Sequence, residues 1–116
     1  MLVNILVVED DPLVAMMLED YLELLGRNTV AVVENVAGAL AAIADRPIDA
    51  AILDVHLSGG ETSEPIAAAL STKNIPFLVC TGGFTAPAAA IYASRPLLIK
   101  PFNFERIDEG LRALEN

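Results

Sequence analysis

Ala50-Ala51-Ile52-Leu53-Asp54-Val55-His56-Leu57 decides how this chain folds. Four apolar residues run straight into one carboxylate, and Ser58-Gly59-Gly60 follows almost at once. An unbroken apolar run bounded by turn residues reads as a strand buried on both faces. Asp54 then stands at the C-terminal edge of that strand, where open parallel sheets place their ligand sites. An aspartate in that position could cap a loop or pair with a lysine. Three further polar signals at comparable strand ends favour a chemical role instead.

Outward from this strand the pattern alternates. Val3 to Val8 is a second buried run, and it ends in Glu9-Asp10-Asp11. Pro12 suits the first position of a helix, where its missing N–H would have no partner anyway. That helix runs to about Leu25, with Gly26 as its C′ residue. Val14, Leu18, Tyr21 and Leu25 share one helical stripe flanked by Met17 and Leu22, which leaves Leu13 and Met16 exposed. Thr29 to Val33 is the next strand, and Val36 to Asp45 is a helix capped by Asn35 and ended by Pro47. Beyond the glycine turn, Glu61 to Ser71 reads as a helix that tolerates Pro65 only in its first turn. Pro76 to Thr81 is a strand closed by Gly82-Gly83, and Thr85 to Ser94 is a short alanine-rich element. Leu97 to Ile99 is the last strand, ending in Lys100-Pro101, and Phe104 to Leu114 is the last helix.

Strands that alternate with helices imply a parallel sheet covered on both faces. Right-handed crossovers then bring every strand's C-terminal end to one edge. Glu9, Asp10 and Asp11, then Asp54, Thr81 and Lys100, converge there. Carboxylates from chain-distant ends make a negative pocket that suits a hard divalent cation, magnesium with retained waters above all. Without such a cation their repulsion raises a pKa and costs stability. The same set suits phosphoryl transfer: a metal and an ammonium neutralise the phosphoryl oxygens while a carboxylate attacks in line. Asp54 is then the nucleophile, Lys100 the monovalent clamp and Thr81 a hydroxyl donor. The Gly82 and Gly59 backbones can approach closely because neither carries a Cβ.

Composition narrows the class. The chain has 116 residues, enough for one domain spanning 1–116 but not for two. No apolar stretch is long enough to span a bilayer, and the first residues lack a signal peptide. Its single cysteine, Cys80, excludes an internal disulfide and fits a cytoplasmic location. A formal charge of -9 argues against nucleic-acid partners and suits a cation or a basic partner surface.

Four segments together carry a family resemblance: Ile5-Leu6-Val7-Val8-Glu9-Asp10-Asp11-Pro12, Ile52-Leu53-Asp54-Val55, Thr81-Gly82 and Lys100-Pro101-Phe102. Each alone is weak. In this order, at these strand ends, the chain resembles the receiver domains of two-component response regulators along essentially its whole length. The resemblance implies a flavodoxin-like fold of doubly wound α/β class, a five-stranded parallel sheet in the order 2-1-3-4-5. It implies Asp54 as phospho-acceptor and a magnesium ion, or manganese or calcium in its place. Asp10 and Asp54 would hold that ion with the backbone carbonyl of His56, and Glu9 would help through water. Thr81 becomes the switch hydroxyl, Lys100 and the Gly82 backbone meet the phosphoryl group, and Lys100-Pro101 is a cis peptide.

Such a protein is not an enzyme toward other molecules. It takes a phosphoryl group from a histidine kinase or a phosphotransfer protein and acts on a downstream protein target. Leu13 and Met16 are either scattered surface apolars or the docking surface for the phosphohistidine helix. Asp11 is either a metal ligand or a favourable anion before the first helix. His56 as a side chain and Cys80 as a buried thiol have no expected chemistry. No output domain follows Leu114, so a relay, sink or adaptor is expected, as a monomer or weak dimer, unless the chain is a piece of a longer regulator.

Departures from the family pattern are specific. Leu97 stands where receivers carry Tyr or Phe, which puts the usual threonine-to-aromatic coupling in doubt. Pro76 to Phe84 looks like the variant "FATGUY" receivers of alphaproteobacteria, which work with HWE-type kinases, although Val79-Cys80 replaces their Phe-Ala. Ordering of 82–94 around the phosphoryl group is a different switching mode that this chain could use. A non-phosphorylated pseudo-receiver is the nearest rival, opposed by the intact Asp10, Asp54, Thr81 and Lys100. An aspartyl-phosphate phosphatase would need an acid where His56 stands. A flavin-binding domain would need a phosphate loop where Glu9-Asp10-Asp11 stands.

Overall fold

A computed structural model describes residues 2–82, 90–93 and 95–115. Its strands are β1 (Asn4–Val8), β2 (Asn28–Val33), β3 (Ala50–Asp54), β4 (Phe77–Thr81) and β5 (Leu97–Ile99). The helices are α1 (Pro12–Leu24), α2 (Val36–Asp45), α3 (Glu64–Thr72) and α4 (Phe104–Glu115). The strands form one sheet in the order β2-β1-β3-β4-β5, and every pairing is parallel. This is the expected flavodoxin-like order. The Lys100–Pro101 peptide is cis, also as expected.

Side-chain alternation along the strands explains the double coverage. On one face Leu6, Val8, Ala51, Leu53, Phe77 and Val79 pack with Ala39, Ala42 and Ile43 of α2 and Ile66, Ala67 and Leu70 of α3. On the other, Ile5, Val7, Ile52, Leu78 and Cys80 pack with Leu18 and Leu22 of α1 and Ile107 and Leu111 of α4. The central strands β3 and β4 are buried throughout, whereas β2 and β5 form the partly exposed edges. Each fully buried Leu, Ile or Phe side chain contributes about 1.5–3 kcal/mol from area removed from water. Those two layers hold the sheet rigid beneath the strand ends.

Helix boundaries follow local chemistry. Asp11 caps α1, its Oδ1 accepting from the Leu13 N–H at 2.9 Å, and Pro12 opens the helix. Gly26 leaves α1 at φ 75°, and the Arg27 N–H returns to the Leu22 carbonyl at 2.9 Å. Asn35 caps α2 through the Gly38 N–H at 2.7 Å. Asp49 anchors the start of β1 from a distance, its Oδ2 accepting from the Val3 and Asn4 N–H groups. Leu13 and Met16 are exposed as expected, but Ala15 is buried beside the expected stripe.

Two expectations shift. The third helix starts at Glu64 rather than Glu61 and ends at Thr72. Residues 61–63 are taken instead by a short antiparallel bridge between His56 and Thr62, which also leaves Pro65 in the first turn. Of the element expected over 85–94, a 3-10 turn at Ala90–Tyr92 is described, and residues 83–89 and 94 lie outside the described residues.

The buried and exposed faces of α1 differ sharply within one turn. Leu22 is fully buried, and Leu24 is 75% exposed. Leu22→Ala should cost about 2–5 kcal/mol in urea unfolding, because its cavity cannot fully collapse. Leu24→Ala should stay within about 0.5 kcal/mol. Equal losses at the two positions would contradict this packing.

Candidate functional site

Strand register brings the charged residues together. Val8 pairs with Leu53, so Glu9 follows level with Asp54. Asp54 pairs with Cys80, and Thr81 pairs with Ile99, so Thr81 and Lys100 close the same edge one step further along. The Lys100 N–H donates to the Thr81 carbonyl at 2.8 Å, which fixes the origin of the lysine side chain. None of these residues is near another in sequence. Only the parallel sheet makes them neighbours.

Lys100 spans the pocket. Its Nζ donates to Glu9 Oε1 at 2.7 Å and to Asp54 Oδ2 at 2.9 Å. The Glu9 side chain is 2% exposed, Asp54's 10% and that of Lys100 21%. Burial pushes the Glu9 carboxyl up to about 7, against the downward pull of the Lys100 hydrogen bond. Burial also disfavours the Lys100 ammonium, but the hydrogen bonds to Glu9 and Asp54 win and raise its pKa. Two attractions at contact distance thus outweigh the loss of water around the lysine. For scale, unit charges 4 Å apart interact by about 4 kcal/mol at an effective dielectric constant of 20.

Asp10 sits at the rim. Its Oδ2 accepts from Ser58 Oγ at 2.8 Å, and that hydrogen bond lowers its pKa. Single carboxylate oxygens of Glu9, Asp10 and Asp54 all lie within 4.8 Å of one another. A cluster of three carboxylates around one ammonium retains surplus negative charge, and a hard cation with oxygen ligands fits that donor set. Asp11 does not join it among the described contacts. Its carboxylate caps α1 and its N–H donates to Glu9 Oε2 at 3.2 Å, which supports the second of its two readings.

The loop after β3 is a built feature. Leu57 N–H donates to the Glu61 carbonyl at 2.9 Å and Ser63 N–H to the Val55 carbonyl at 3.0 Å, on either side of the His56–Thr62 bridge. In that pattern His56 belongs to a non-hydrogen-bonded pair, so its carbonyl stays outside the ladder. This is the backbone oxygen that the resemblance assigns to a metal. Gly59 and Gly60 turn the loop at φ 74° and 78°, a region costly for residues with a Cβ. Open space surrounds Gly59, so the glycine serves that dihedral angle and not a close approach. A Cβ on Gly82 would meet Lys100 Cδ at 3.8 Å, ordinary contact, so space does not require glycine there either.

Thr81 is buried, 4% exposed, at the end of β4. The Cys80 thiol beneath it is buried, and desolvation drives its pKa far up, consistent with an inert apolar role. Sequence reasoning missed Ser58 as the partner of Asp10 and missed Glu61, whose Oε1 accepts from the Val36 N–H at 3.1 Å. It also missed a buried hydrogen bond, Ser63 Oγ to Tyr92 Oη at 2.9 Å. No helix among the described residues is long and apolar enough to cross a membrane.

Comparison with known proteins agrees with this architecture. The solution structure of SdrG from Sphingomonas melonis Fr1 is similar at 50% identity, with 99% of this chain and 98% of that one covered and a TM-score of 0.90. The BeF3-activated conformation of SdrG from Pseudomonas melonis Fr1 is 51% identical over 96% of this chain and 94% of that one, with a TM-score of 0.83. The receiver domain of the sensor histidine kinase PA1611 from Pseudomonas aeruginosa PAO1, with magnesium in its active-site cleft, shares the fold. It has 20% identity, 98% coverage of each chain and a TM-score of 0.82. No curated protein sequence matches the chain. The family model described as the response regulator receiver domain matches residues 5–112. With that match over almost the whole chain, and five parallel strands in the order 2-1-3-4-5, the chain belongs to the receiver domains of response regulators.

Proposed function

We propose that this receiver accepts a phosphoryl group on Asp54 from a phosphohistidine, in a magnesium-dependent reaction, and signals by protein contact as a relay, sink or adaptor. The single observation that carries the reading is Lys100 Nζ held at 2.7 Å from Glu9 and 2.9 Å from Asp54. A partly buried ammonium placed against a nucleophilic carboxylate keeps the pocket intact at rest and is in place for a phosphoryl oxygen later. Asp54 attacks phosphorus, the P–N bond breaks, and the imidazole leaves with the bonding electrons. Lys100 then exchanges part of its contact with Asp54 for a phosphoryl oxygen, and the Thr81 hydroxyl and Gly82 N–H donate to others.

Glu9, Asp10, Asp54 and the His56 carbonyl are the groups that would hold the ion. Bound there, magnesium supplies charge neutralisation for the phosphoryl oxygens. The Ser58 hydroxyl donates to Asp10 Oδ2 at 2.8 Å and holds that carboxylate at the rim of the pocket. The 20%-identical PA1611 receiver with its magnesium supports this choice of ion, as does the carboxylate spacing. The donor is a histidine kinase, of the HWE type by the resemblance of Pro76 to Phe84, or a phosphotransfer protein. Leu13 and Met16, 76% and 58% exposed, lie beside the acidic edge and are the apolar contacts for its helix. A groove of about 480 Å³ between α1 and α2, bordered by Asp10, Met16 and Val32, continues that surface.

Intact mass after incubation with magnesium and acetyl phosphate should show one phosphoryl adduct, absent with EDTA and absent from Asp54→Asn. No adduct with acetyl phosphate or with phosphorylated kinases would leave a pseudo-receiver. Lys100→Met should keep the fold yet slow adduct formation by about a hundredfold, the scale of losing one charge-stabilising donor. An unchanged rate would remove Lys100 from the chemistry.

A further inference from the structure

Ser63 occupies the N-cap position of α3, where a serine hydroxyl ordinarily bonds the helix's own N–H groups and contributes about 1 kcal/mol. Here it makes no such cap. Its Oγ lies 2.9 Å from Tyr92 Oη instead, with Ser63 fully buried and Tyr92 5% exposed. The chain forgoes a local cap for a contact 29 residues away. Buried tyrosine hydroxyls do need a partner. That need alone does not explain why the partner is a residue of the loop that follows Asp54.

The backbone of Ser63 supplies the reason. Its N–H donates to the Val55 carbonyl at 3.0 Å, one of the two hydrogen bonds that close the 55–63 hairpin. Val55 lies between Asp54 and His56, and the hairpin leaves the His56 carbonyl outside its ladder. A displacement of Ser63 therefore turns the peptide units that flank His56. Tyr92 is itself firmly mounted. The Arg95 N–H donates to the Tyr92 carbonyl at 3.1 Å. The Arg95 guanidinium donates to Ser71 Oγ at 2.9 Å and stacks 4.2 Å from the centre of the Phe77 ring. Tyr92 thus joins α3 and the approach to β5 to the loop beside Asp54.

We propose that Tyr92 is a positioning residue for the Asp54 site, acting through Ser63 to hold the 55–63 hairpin so that the His56 carbonyl faces the cation. This deepens the functional reading above and rests on it. A tyrosine outside the position where receivers carry their aromatic residue, occupied here by Leu97, would then tie the loop to the pocket.

Three variants of the full chain test it: Tyr92→Phe, Ser63→Ala and the two combined. Magnesium affinity is read from backbone amide shifts, stability from thermal unfolding, and hairpin opening from hydrogen exchange at the Leu57 and Ser63 amides without metal. Tyr92→Phe should weaken magnesium binding about tenfold, the lower end for partners that orient a metal ligand, and should speed both exchange rates. Ser63→Ala should do the same, and it decides the matter if Tyr92→Phe folds poorly. The double variant should recover stability, since neither buried polar group is left unpaired, while its magnesium affinity stays weak. Wild-type affinity and slow exchange in the single variants, or affinity that returns with stability in the double variant, would overturn the proposal. Wild-type protein that binds no magnesium would instead remove the functional reading itself.

Discussion

One ammonium between two buried carboxylates is the constraint on which the site depends. Glu9 and Asp54 end adjacent strands whose register leaves them side by side, and both side chains are withdrawn from water. Lys100 offsets that juxtaposition at 2.7 and 2.9 Å, but one positive charge cannot neutralise three carboxylates. Burial, with a smaller push from the Asp54 charge, holds the Glu9 carboxyl up to about 7. An acid with a raised pKa in the folded state costs stability as pH climbs from its ordinary range through 7, when Glu9 must ionise in place. The pocket is charged beyond what its own residues can compensate. Three clustered carboxylates of that kind are a donor set that suits a hard cation.

The rest of the fold keeps these groups from relaxing apart. Apolar layers on both faces of the sheet fix β1 and β3, so Glu9 and Asp54 cannot separate without disturbing the core. The hydrogen bond from the Lys100 N–H to the Thr81 carbonyl fixes the fourth and fifth strand ends in the same way. The hairpin after Asp54 adds Ser58 against Asp10 and leaves the His56 carbonyl outside its ladder. Charged side chains thus come from strand ends, and the groups that orient them come from loops.

The sequence disclosed the strand ends more readily than the loops. Val3 to Val8 and Ala50 to Asp54 are apolar runs closed by carboxylates, and burial on both faces leaves few other readings for them. Pro12, Gly26 and Asn35 marked helix ends because each has a local steric or hydrogen-bonding reason to be there. The start of α3 was less legible, since Glu61 to Ser63 suit a first helical turn as well as the bridge they form. Ser58 with Asp10, and Ser63 with Tyr92, were invisible for a related reason: partners 48 and 29 residues apart leave no periodic trace. Ser63 was further disguised, because a serine before a helix reads as its cap. Gly82 and Gly59 were credited with close approach, whereas Gly59 serves its positive φ and Gly82 has ordinary room.

The most direct test of the account is to find where the phosphoryl group resides. Borohydride reduces an aspartyl phosphate to homoserine, which marks the acceptor permanently for peptide mass mapping. Treated after phosphorylation, the chain should carry homoserine at position 54 and nowhere else, because among the described aspartates Asp54 alone combines burial, the Lys100 contact and proximity to the other carboxylates. Homoserine at position 10 or 11, or a phosphoryl group that resists borohydride because it sits on a hydroxyl or on His56, would contradict the assignment of Asp54.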